Sequence, residues 1–106
     1  MSDKILQSEK IMKKYPDKIP VIVTKFKNTD LPEINKSKYI VPKDMNFTNF
    51  VYIIRKHIKL SSDKAIFITI NNKLCPSNST LGEIYNDMKN DDGFLYMEYS
   101  SENTFG

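Results

Sequence analysis

The sequence predicts one α+β domain in which helices pack on a mixed β-sheet. Its 106 residues, of which 40% are hydrophobic and 27% charged, have the length and composition of a single globular domain with a modest core. Segments with helical spacing of apolar residues alternate with short β-branched and aromatic runs, which indicates helices interspersed with strands. The chain shows no internal repeat, low-complexity stretch or interdomain linker, so a second domain is not expected.

The first part of the chain predicts a helix followed by two strands. Asp3–Lys14 is a charged segment punctuated by apolar residues, and Pro16 prevents this helix from continuing. The apolar run 19–26 predicts the first strand, and Lys38–Val41 predicts the second. Because Pro42 cannot donate a hydrogen bond to a neighbouring strand, the second strand is expected at an open edge of the sheet.

The middle of the chain predicts a long helix and a hairpin. Apolar residues recur at helical spacing from Phe47 to Lys59, with Asn46 as the expected N-cap, so this helix presents an apolar face to the sheet. The β-branched and aromatic run 65–70 predicts the third strand. Asn71-Asn72 tolerates positive φ and is expected to turn the chain into the short return strand Lys73-Leu74.

The last part of the chain predicts a capped helix and a final strand. Thr80 and Glu83 have the spacing of a capping box, which starts a helix that runs to about residue 89. The Asp-Asp-Gly sequence at 91–93 then turns into the strand 94–99. The complete order is helix, β, β, α, β, short β, α, β. Apart from the first helix, this is the order of the ubiquitin-like β-grasp fold, with a long helix packed on a mixed sheet.

Three segments follow from this order. We expect an N-terminal helical extension at 1–17, a ubiquitin-like domain at 18–99 and a flexible tail at 100–106, which carries the glycine Gly106. A glycine in this place is typical of ubiquitin-like modifiers, because without a Cβ it can pass through narrow channels in activating and conjugating enzymes. The tail therefore indicates a protein that is transferred to another molecule and not a catalyst.

The distribution of charge favours acidic partners for the first part of the chain. Residues 1–59 contain thirteen Lys or Arg against six Asp or Glu, whereas residues 60–106 contain three against seven, within a net charge of +3. The basic residues are scattered through predicted helix, strand and loop without a nucleic-acid-binding motif, and the acidic part would repel phosphates. No nucleic-acid partner is therefore expected.

The composition also disfavours several other functions. With one cysteine, Cys75, and one histidine, His57, the chain has no ligand set for a zinc site, and neither a metal nor a cofactor is expected. An enzyme is not expected either, because Cys75 is predicted in a turn and three glycines leave no loop for an oxyanion or a phosphate. No apolar run reaches the length of a membrane span, and the start is too charged for a secretory signal, so a cytoplasmic protein is expected.

Several segments of the chain resemble one known family. The sequence is similar to the autophagy modifiers of the GABARAP and light-chain-3 type, also called autophagy-related protein 8, and most of all to the GABARAP type. The likeness extends over nearly the whole chain without obvious gaps. It is carried by the segments Glu9–Ile11, Lys13–Val23, Lys38–Pro42, Ile54–Lys56, Asn71-Asn72 and Phe94–Tyr96.

This resemblance implies a function in membrane tagging. Dedicated activating and conjugating enzymes would join Gly106 to the amine of phosphatidylethanolamine, and the two acyl chains would hold the domain on an autophagosome or related membrane. The attached protein would recruit cargo receptors and adaptors and is expected to be a monomer in solution. The alternative is a ubiquitin-like peptide-binding module that is never conjugated.

The resemblance also implies the place where partners bind. The ligand would be a short aromatic-x-x-aliphatic motif flanked by acids, which adds a strand to the sheet edge at 38–42. The implied aromatic pocket consists of Ile11, Pro20, Lys38, Ile40 and Phe94. The implied aliphatic pocket consists of Tyr39, Val41, Pro42, Met45, Phe50 and Ile53. The implied contacts to the acidic flank are Lys18, Lys36, Arg55 and His57.

Among the positions that depart from the pattern of that family, two replace a charged group. Gln7 stands where relatives often have an acid beside the aromatic pocket, so a tryptophan ligand would lose a charge-assisted contact there. His57 stands where a permanent cation is usual, which would make its contact with an acidic peptide depend on pH. A second docking face is not expected, because the strand that forms it in some relatives is Phe67-Ile68-Thr69 here.

Overall fold

The computed structural model describes residues 3–27, 29–61, 64–75 and 78–101. Gly106, the expected conjugation residue, lies outside these residues, as does most of the expected tail. Within the described part, three helices and five strands follow one another in the predicted order. They are α1 (Asp3–Lys14), β1 (Lys18–Lys25), β2 (Lys38–Pro42), α2 (Phe47–His57), β3 (Phe67–Ile70), β4 (Lys73–Leu74), α3 (Leu81–Met88) and β5 (Leu95–Ser100).

The five strands form one mixed sheet in the order β2-β1-β5-β3-β4. The central pair, β1 with β5, is parallel, while β2, β3 and β4 each join by antiparallel pairing. Helix α2 packs on one face of this sheet through Phe50, Ile54 and Ile58, which are buried. The predicted α+β class and ubiquitin-like β-grasp architecture are therefore confirmed.

The two faces of the sheet are covered by different helices. Residues of β1 and β5 that alternate along the strands, such as Val21 and Met97, belong to the main core beneath α2. Ile22 and Phe94 are also buried but lie outside that core cluster. Helix α1 covers this second face, since the Lys4 ammonium lies 5.2 Å from the centre of the Phe94 ring.

Helix α2 ends two residues earlier than the apolar spacing predicts. Lys59 has a φ of 56°, which is left-handed and lies outside the helix. The Leu60 N–H donates to the Arg55 carbonyl at 3.1 Å, and the Lys59 N–H donates to the Lys56 carbonyl at 3.3 Å. These two bonds form a Schellman motif, whose left-handed position is usually occupied by glycine. Because lysine does not indicate this motif, the sequence overestimates the length of α2.

Two further local predictions differ in detail from the structure. Asn46 is the N-cap of α2, as predicted, but its side chain makes no capping hydrogen bond. Instead, the Phe47 N–H donates to the Ser79 carbonyl at 3.0 Å, so a neighbouring segment satisfies the start of the helix. Strand β3 begins at Phe67 and not at residue 65.

The turn and cap predicted from short motifs are confirmed. Asn71 and Asn72 have φ values of 54° and 66° between β3 and β4. At the start of α3, the Thr80 N–H donates to Glu83 Oε1 at 2.9 Å, and the Glu83 N–H donates to Thr80 Oγ1 at 3.3 Å. These two bonds complete the capping box. None of the helices in the described residues is long and apolar enough to cross a bilayer.

We predict that Thr80→Ala lowers the free energy of unfolding by about 1 kcal/mol, because it removes the side-chain half of the capping box. Urea denaturation measures this change. Thr48→Ala is the control, since Thr48 is exposed within α2 and does not cap it. A Thr80→Ala protein as stable as the Thr48→Ala protein would contradict the energetic role of the box.

The cost of Thr80→Ala is also expected to decrease at acid pH. Hydrogen bonds from the Thr80 backbone and side chain lower the pKa of Glu83 from its reference value of 4.5. A lowered pKa in the folded state contributes stability above pH 4.5, and this contribution is lost as the pH falls through the folded value. Part of the cost of the substitution remains in acid, because in the wild-type protein Thr80 Oγ1 still accepts the Glu83 N–H after Glu83 is protonated. Unfolding curves of both proteins from neutral pH down to pH 3 test this.

Candidate peptide-binding site

The outer strand β2 pairs only with β1, so one of its edges is open among the described strands. In the antiparallel register, Pro20 lies opposite Ile40 and Val21 opposite Tyr39. Pro20 has no N–H to donate, but this removes no hydrogen bond between β1 and β5, because the pairing of these two strands begins only at Val21. The predicted edge position of β2 is therefore confirmed.

The hydrogen bonds at the two ends of this pair show which backbone groups of β2 point outwards. The Val23 N–H donates to the Ser37 carbonyl at 2.8 Å, and the Lys43 N–H donates to the Asp17 carbonyl at 3.0 Å. Hydrogen-bonded and non-hydrogen-bonded pairs alternate along an antiparallel ladder. The backbone groups of Tyr39 and Val41 are thus used by β1, whereas those of Lys38 and Ile40 face away from the sheet.

The side chains of β2 alternate between the two faces of the sheet. Tyr39 and Val41 are buried in the core beneath α2, whereas Lys38 and Ile40 are exposed on the side of α1. The outward-facing backbone of this strand therefore runs along a boundary between two surfaces. An added strand would have access to both of them.

The residues of the expected aromatic pocket lie around the Phe94 ring. Phe94 is fully buried and directly precedes β5, and Pro20 directly precedes the Val21–Leu95 pair, so these two residues are neighbours on adjacent strands. Ile40, opposite Pro20, is 37% exposed. Ile11 is half-buried on α1. This gives a floor made of buried apolar groups with an exposed aliphatic side chain at its rim.

Two lysines lie above this floor. The ammonium groups of Lys4 and Lys38 lie 5.2 Å and 5.7 Å from the centre of the Phe94 ring, within the range of cation–π attraction. Lys38 also donates a 2.9 Å hydrogen bond to Gln7 Oε1 and so connects β2 to α1 across the pocket. Lys4 was not predicted as a site residue, because nothing in its sequence neighbourhood distinguishes it from the other lysines of α1.

The residues of the expected aliphatic pocket divide into a buried and an accessible group. The Tyr39 ring packs edge-on against the Phe50 ring at 5.4 Å, and both belong to the core with Val41. Pro42, Met45 and Ile53 are half-buried. The set thus extends along the α2 side of β2, where Met45 and Ile53 pack against the core members.

The hydroxyl of Tyr39 is a buried polar group beside this pocket. It has no hydrogen-bond partner among the described residues. Burial, and secondarily the neighbouring Tyr99, raise the pKa of Tyr39 to about 12, so the phenol stays neutral. A buried hydroxyl without a partner costs about 1–3 kcal/mol.

The four basic residues expected to contact an acidic flank do not form one cluster. The Lys36 ammonium lies 5.2 Å from the centre of the Tyr39 ring, and the His57 ring lies 5.5 Å from it, so these two share a place at the start of β2. Lys18 lies opposite Pro42 at the other end of β2. Arg55 Nη1 donates to the Ser61 carbonyl at 3.4 Å beyond the end of α2, away from the other three.

His57 has a polar partner that the sequence does not reveal. Its Nδ1 lies 2.9 Å from Asn35 Oδ1, across the loop that leads into β2. Because this contact joins residues far apart in the sequence, no local pattern indicates it. It holds the imidazole against the Tyr39 ring and leaves the other ring nitrogen for a ligand.

The described residues show no arrangement suited to metal binding, since no group of three or more His, Cys, Asp or Glu side chains comes together in them. Cys75 is half-buried, and burial raises the pKa of its thiol to about 12. A thiol with so high a pKa is a poor nucleophile near neutral pH.

Comparison with known proteins assigns the family. A profile of the family described as "Autophagy protein Atg8 ubiquitin like" matches residues 3–106. The chain belongs to the Atg8 family. It is a ubiquitin-like autophagy protein, and since proteins of this family are modifiers, it is not an enzyme. Both the resemblance noted in the sequence and the expectation of a non-catalytic role are confirmed.

Individual Atg8 proteins match over most of the chain. Autophagy-related protein 8c of Arabidopsis thaliana is 52% identical over 101 residues, which are 95% of this chain and 85% of that protein. Autophagy-related protein 8A of Oryza sativa subsp. indica is 55% identical over 100 residues, which are 94% of this chain and 84% of that protein.

Solved Atg8 structures share the fold. The crystal structure of Trypanosoma brucei ATG8 superposes with a TM-score of 0.88 at 37% identity and covers 97% of this chain and 89% of that one. Plasmodium falciparum Atg8 in complex with a Plasmodium falciparum Atg3 peptide superposes with a TM-score of 0.86 at 33% identity, covering 94% of this chain and 89% of that one.

Proposed function

We propose that this Atg8 protein is conjugated through Gly106 to phosphatidylethanolamine and then recruits partners that carry acidic-flanked aromatic-x-x-aliphatic motifs. In this proposal the protein starts in the cytoplasm as a monomer and becomes attached to autophagosomal or related membranes. Its partners are the activating and conjugating enzymes, cargo receptors and adaptors. The open edge of β2, with different surfaces on its two sides, is the observation that supports peptide recruitment most strongly.

The spacing of the motif fits this edge. In an extended peptide, side chains point alternately to the two faces of the sheet, so residues three positions apart point to opposite faces. A peptide paired with the outward groups of Lys38 and Ile40 would therefore place its aromatic residue on the α1 side. Its aliphatic residue would then reach the α2 side, beside Met45 and Ile53.

The expected affinity follows from these contacts. The aromatic and aliphatic residues of the peptide each contribute roughly 1.5–3 kcal/mol to the binding free energy, and backbone pairing with β2 adds to this. Ordering of the peptide opposes binding, so a micromolar Kd is expected. Lys36 and His57, which lie together at one end of β2, are placed to attract an acidic flank at that end. Lys18 would do so at the other end.

The solved complex of Plasmodium falciparum Atg8 with an Atg3 peptide supports peptide binding as a mode of partner recognition within this family. For the present chain, the same mode would serve both its conjugating enzyme and its cargo receptors. Competition between these partners for β2 is then expected.

The departure point of the tail supports a separation between conjugation and recognition. Ser101 is fastened to the loop before β2, because its N–H donates to Thr29 Oγ1 at 3.0 Å and its hydroxyl donates to Asp30 Oδ1 at 3.0 Å. Phe94 and Ser101 lie at opposite ends of β5, roughly 20 Å apart along the strand. Ser101 therefore lies well away from the aromatic floor.

We predict that Ile40→Asp weakens the binding of an acidic-flanked aromatic-x-x-aliphatic peptide by at least about tenfold and leaves the domain folded. The carboxylate would be desolvated at the rim of the aromatic pocket and would repel the acidic flank. Isothermal titration measures the affinity, and circular dichroism checks the fold. Leu74→Asp is the matched control, because Leu74 is 45% exposed on β4 at the opposite edge of the sheet. Equal affinities of the two variants would place the binding site elsewhere.

The spacing between the two peptide anchors gives a second prediction. A peptide with one residue inserted between the aromatic and aliphatic positions directs both anchors to the same face and should bind at least about tenfold more weakly. A peptide in which one of the two middle residues is exchanged without changing the spacing serves as the control. If the lengthened peptide binds as tightly as the control, strand addition at β2 is wrong.

Deletion of Gly106 is predicted to abolish lipid conjugation without changing stability or peptide affinity. For conjugation, the carboxylate of Gly106 must reach an adenylate and then a cysteine thioester through a confined path, and a one-residue shortening displaces the reacting carbon. Liposome flotation measures the extent of conjugation after the protein has reacted with phosphatidylethanolamine liposomes, ATP and the cognate activating and conjugating enzymes. If the deletion protein still floats in an ATP-dependent way, Gly106 is not the site of conjugation. If neither protein floats but both bind peptide, the chain is an unconjugated binding module.

A further inference from the structure

Helix α1 meets the sheet through a serine. Of the residues in α1, Ser8 is the buried one, with 3% of its surface exposed. Lys4 and Ile11, which border the aromatic pocket, lie four residues before and three residues after Ser8 and so share its face of the helix. Because the side chain at the centre of this face is small, the backbone of α1 approaches the sheet closely there.

The residue opposite Ser8 is Gly93. A Cβ at Gly93 would lie 2.3 Å from Ser8 Oγ and 2.9 Å from Ser8 Cβ, so the serine occupies the space that any larger residue at 93 would need. Gly93 also has a φ of 87°, which disfavours other residues. We call this close contact the Ser8–Gly93 interlock. The sequence does not indicate it, because 85 positions separate the two residues along the chain.

A hydrogen bond reinforces the interlock. The Ser8 hydroxyl lies within bonding distance of two carbonyls, that of Ile5 in its own helix and that of Asp92 in the turn before β5. It has one proton to donate, and donation to Asp92 connects α1 to this turn. The position of the helix is thereby fixed by both shape and a polar contact.

The turn that holds Ser8 is itself rigidly attached to the pocket floor. Asp92 Oδ1 accepts the Phe94 N–H at 2.9 Å, and Asp92 Oδ2 accepts the Tyr96 hydroxyl. The Gly93 carbonyl accepts the Tyr85 hydroxyl of α3 at 2.7 Å. The turn is thus attached to β5 and α3, so a change at Ser8 would displace α1 and leave Phe94 in place.

We propose that Ser8 is a positioning residue whose interlock with Gly93 sets the width of the aromatic pocket, and hence which aromatic side chain the pocket accepts. This proposal rests on the peptide-binding function proposed above. In the proposed binding mode, the pocket would have the buried Phe94 as its floor, Ile40 on the β2 side and α1 on the other side. Moving α1 outwards would widen the gap between β2 and α1, which the hydrogen bond from Lys38 to Gln7 now spans. A wider gap would favour a peptide with a larger aromatic ring. Ser8 itself does not contact the peptide in this arrangement.

Two substitutions separate the parts of the interlock. Ser8→Thr adds a methyl group to a contact that has no room for it. Ser8→Ala adds no atom and removes the hydroxyl, and with it both the closest contact to Gly93 and the hydrogen bond to Asp92. Lys13→Thr is the matched control, because it places the same β-branched residue at an exposed position of the same helix. Circular dichroism establishes that each variant is folded.

The test uses three synthetic peptides with an acidic flank that differ only in having Trp, Phe or Tyr at the aromatic position. Isothermal titration gives the ratio of the Kd for the Trp peptide to the Kd for the Tyr peptide. Ser8→Thr should lower this ratio by at least about threefold, and Ser8→Ala, which releases α1 from Asp92, should change it by about twofold, while Lys13→Thr leaves it at the wild-type value. A role of Ser8 in helix stability alone would weaken all three peptides by the same factor and leave the ratio unchanged.

The outcomes distinguish the two proposals. If the wild-type protein binds the peptides and the ratio is unchanged in folded Ser8→Ala and Ser8→Thr, the positioning role is wrong and the peptide-binding function stands. If the wild-type protein binds none of the peptides, both are wrong. Should Ser8→Thr fail to fold, Ser8→Ala decides alone, since it introduces no clash.

Discussion

The parallel pairing of β1 with β5 at the centre of the sheet is the interaction on which the other parts of the molecule depend. It joins the first strand of the described residues to the last. Val21 lies opposite Leu95 and Val23 opposite Met97, and these four residues are fully buried. Parallel strands need long connections, so the intervening chain is available to form α2, α3 and the outer strands. With β5 on one side of β1 and β2 on the other, β2 forms the edge of the sheet. Helix α1 lies across the face that α2 does not cover.

In the proposed function, this arrangement gives one strand two roles, one in the core and one in peptide recognition. The odd-numbered residues Tyr39 and Val41 contribute to the core and bond to β1, while Lys38 and Ile40 direct their backbone groups outwards. Substitution of Tyr39 or Val41 would therefore disturb folding and recognition together. Ile40 is the position at which recognition can be changed while the core is left intact.

The fold was largely predictable because its signals are local. Helical spacing, β-branched runs, the Asn71-Asn72 turn and the capping box at Thr80 each depend on a few consecutive residues, and each is confirmed. The end of α2 was not predictable, since Lys59 adopts the left-handed conformation that usually signals itself by glycine. Pro42 correctly indicated an edge strand, because the chemistry of proline restricts where it can pair.

For the candidate site, the sequence indicated the residues along β2 but not the contacts that hold them in place. The pocket residues came from a resemblance, and the structure places them on the two sides of β2. The contacts that hold these surfaces, such as Ser8 with Asp92 and His57 with Asn35, join residues distant in sequence and leave no local pattern. Arg55 was grouped with Lys36 and His57 by type of charge, but helix geometry directs it elsewhere, towards Ser61.

The exchange of individual backbone amides of β2 with solvent tests strand addition most directly. The N–H groups of Lys38 and Ile40 face outwards in the free protein, whereas those of Tyr39 and Val41 already bond to β1. Hydrogen exchange measured by NMR should therefore show that an acidic-flanked aromatic-x-x-aliphatic peptide slows exchange at Lys38 and Ile40 by at least about tenfold. Unchanged exchange at these two amides under saturating peptide, or protection that appears instead at β4, would contradict the account.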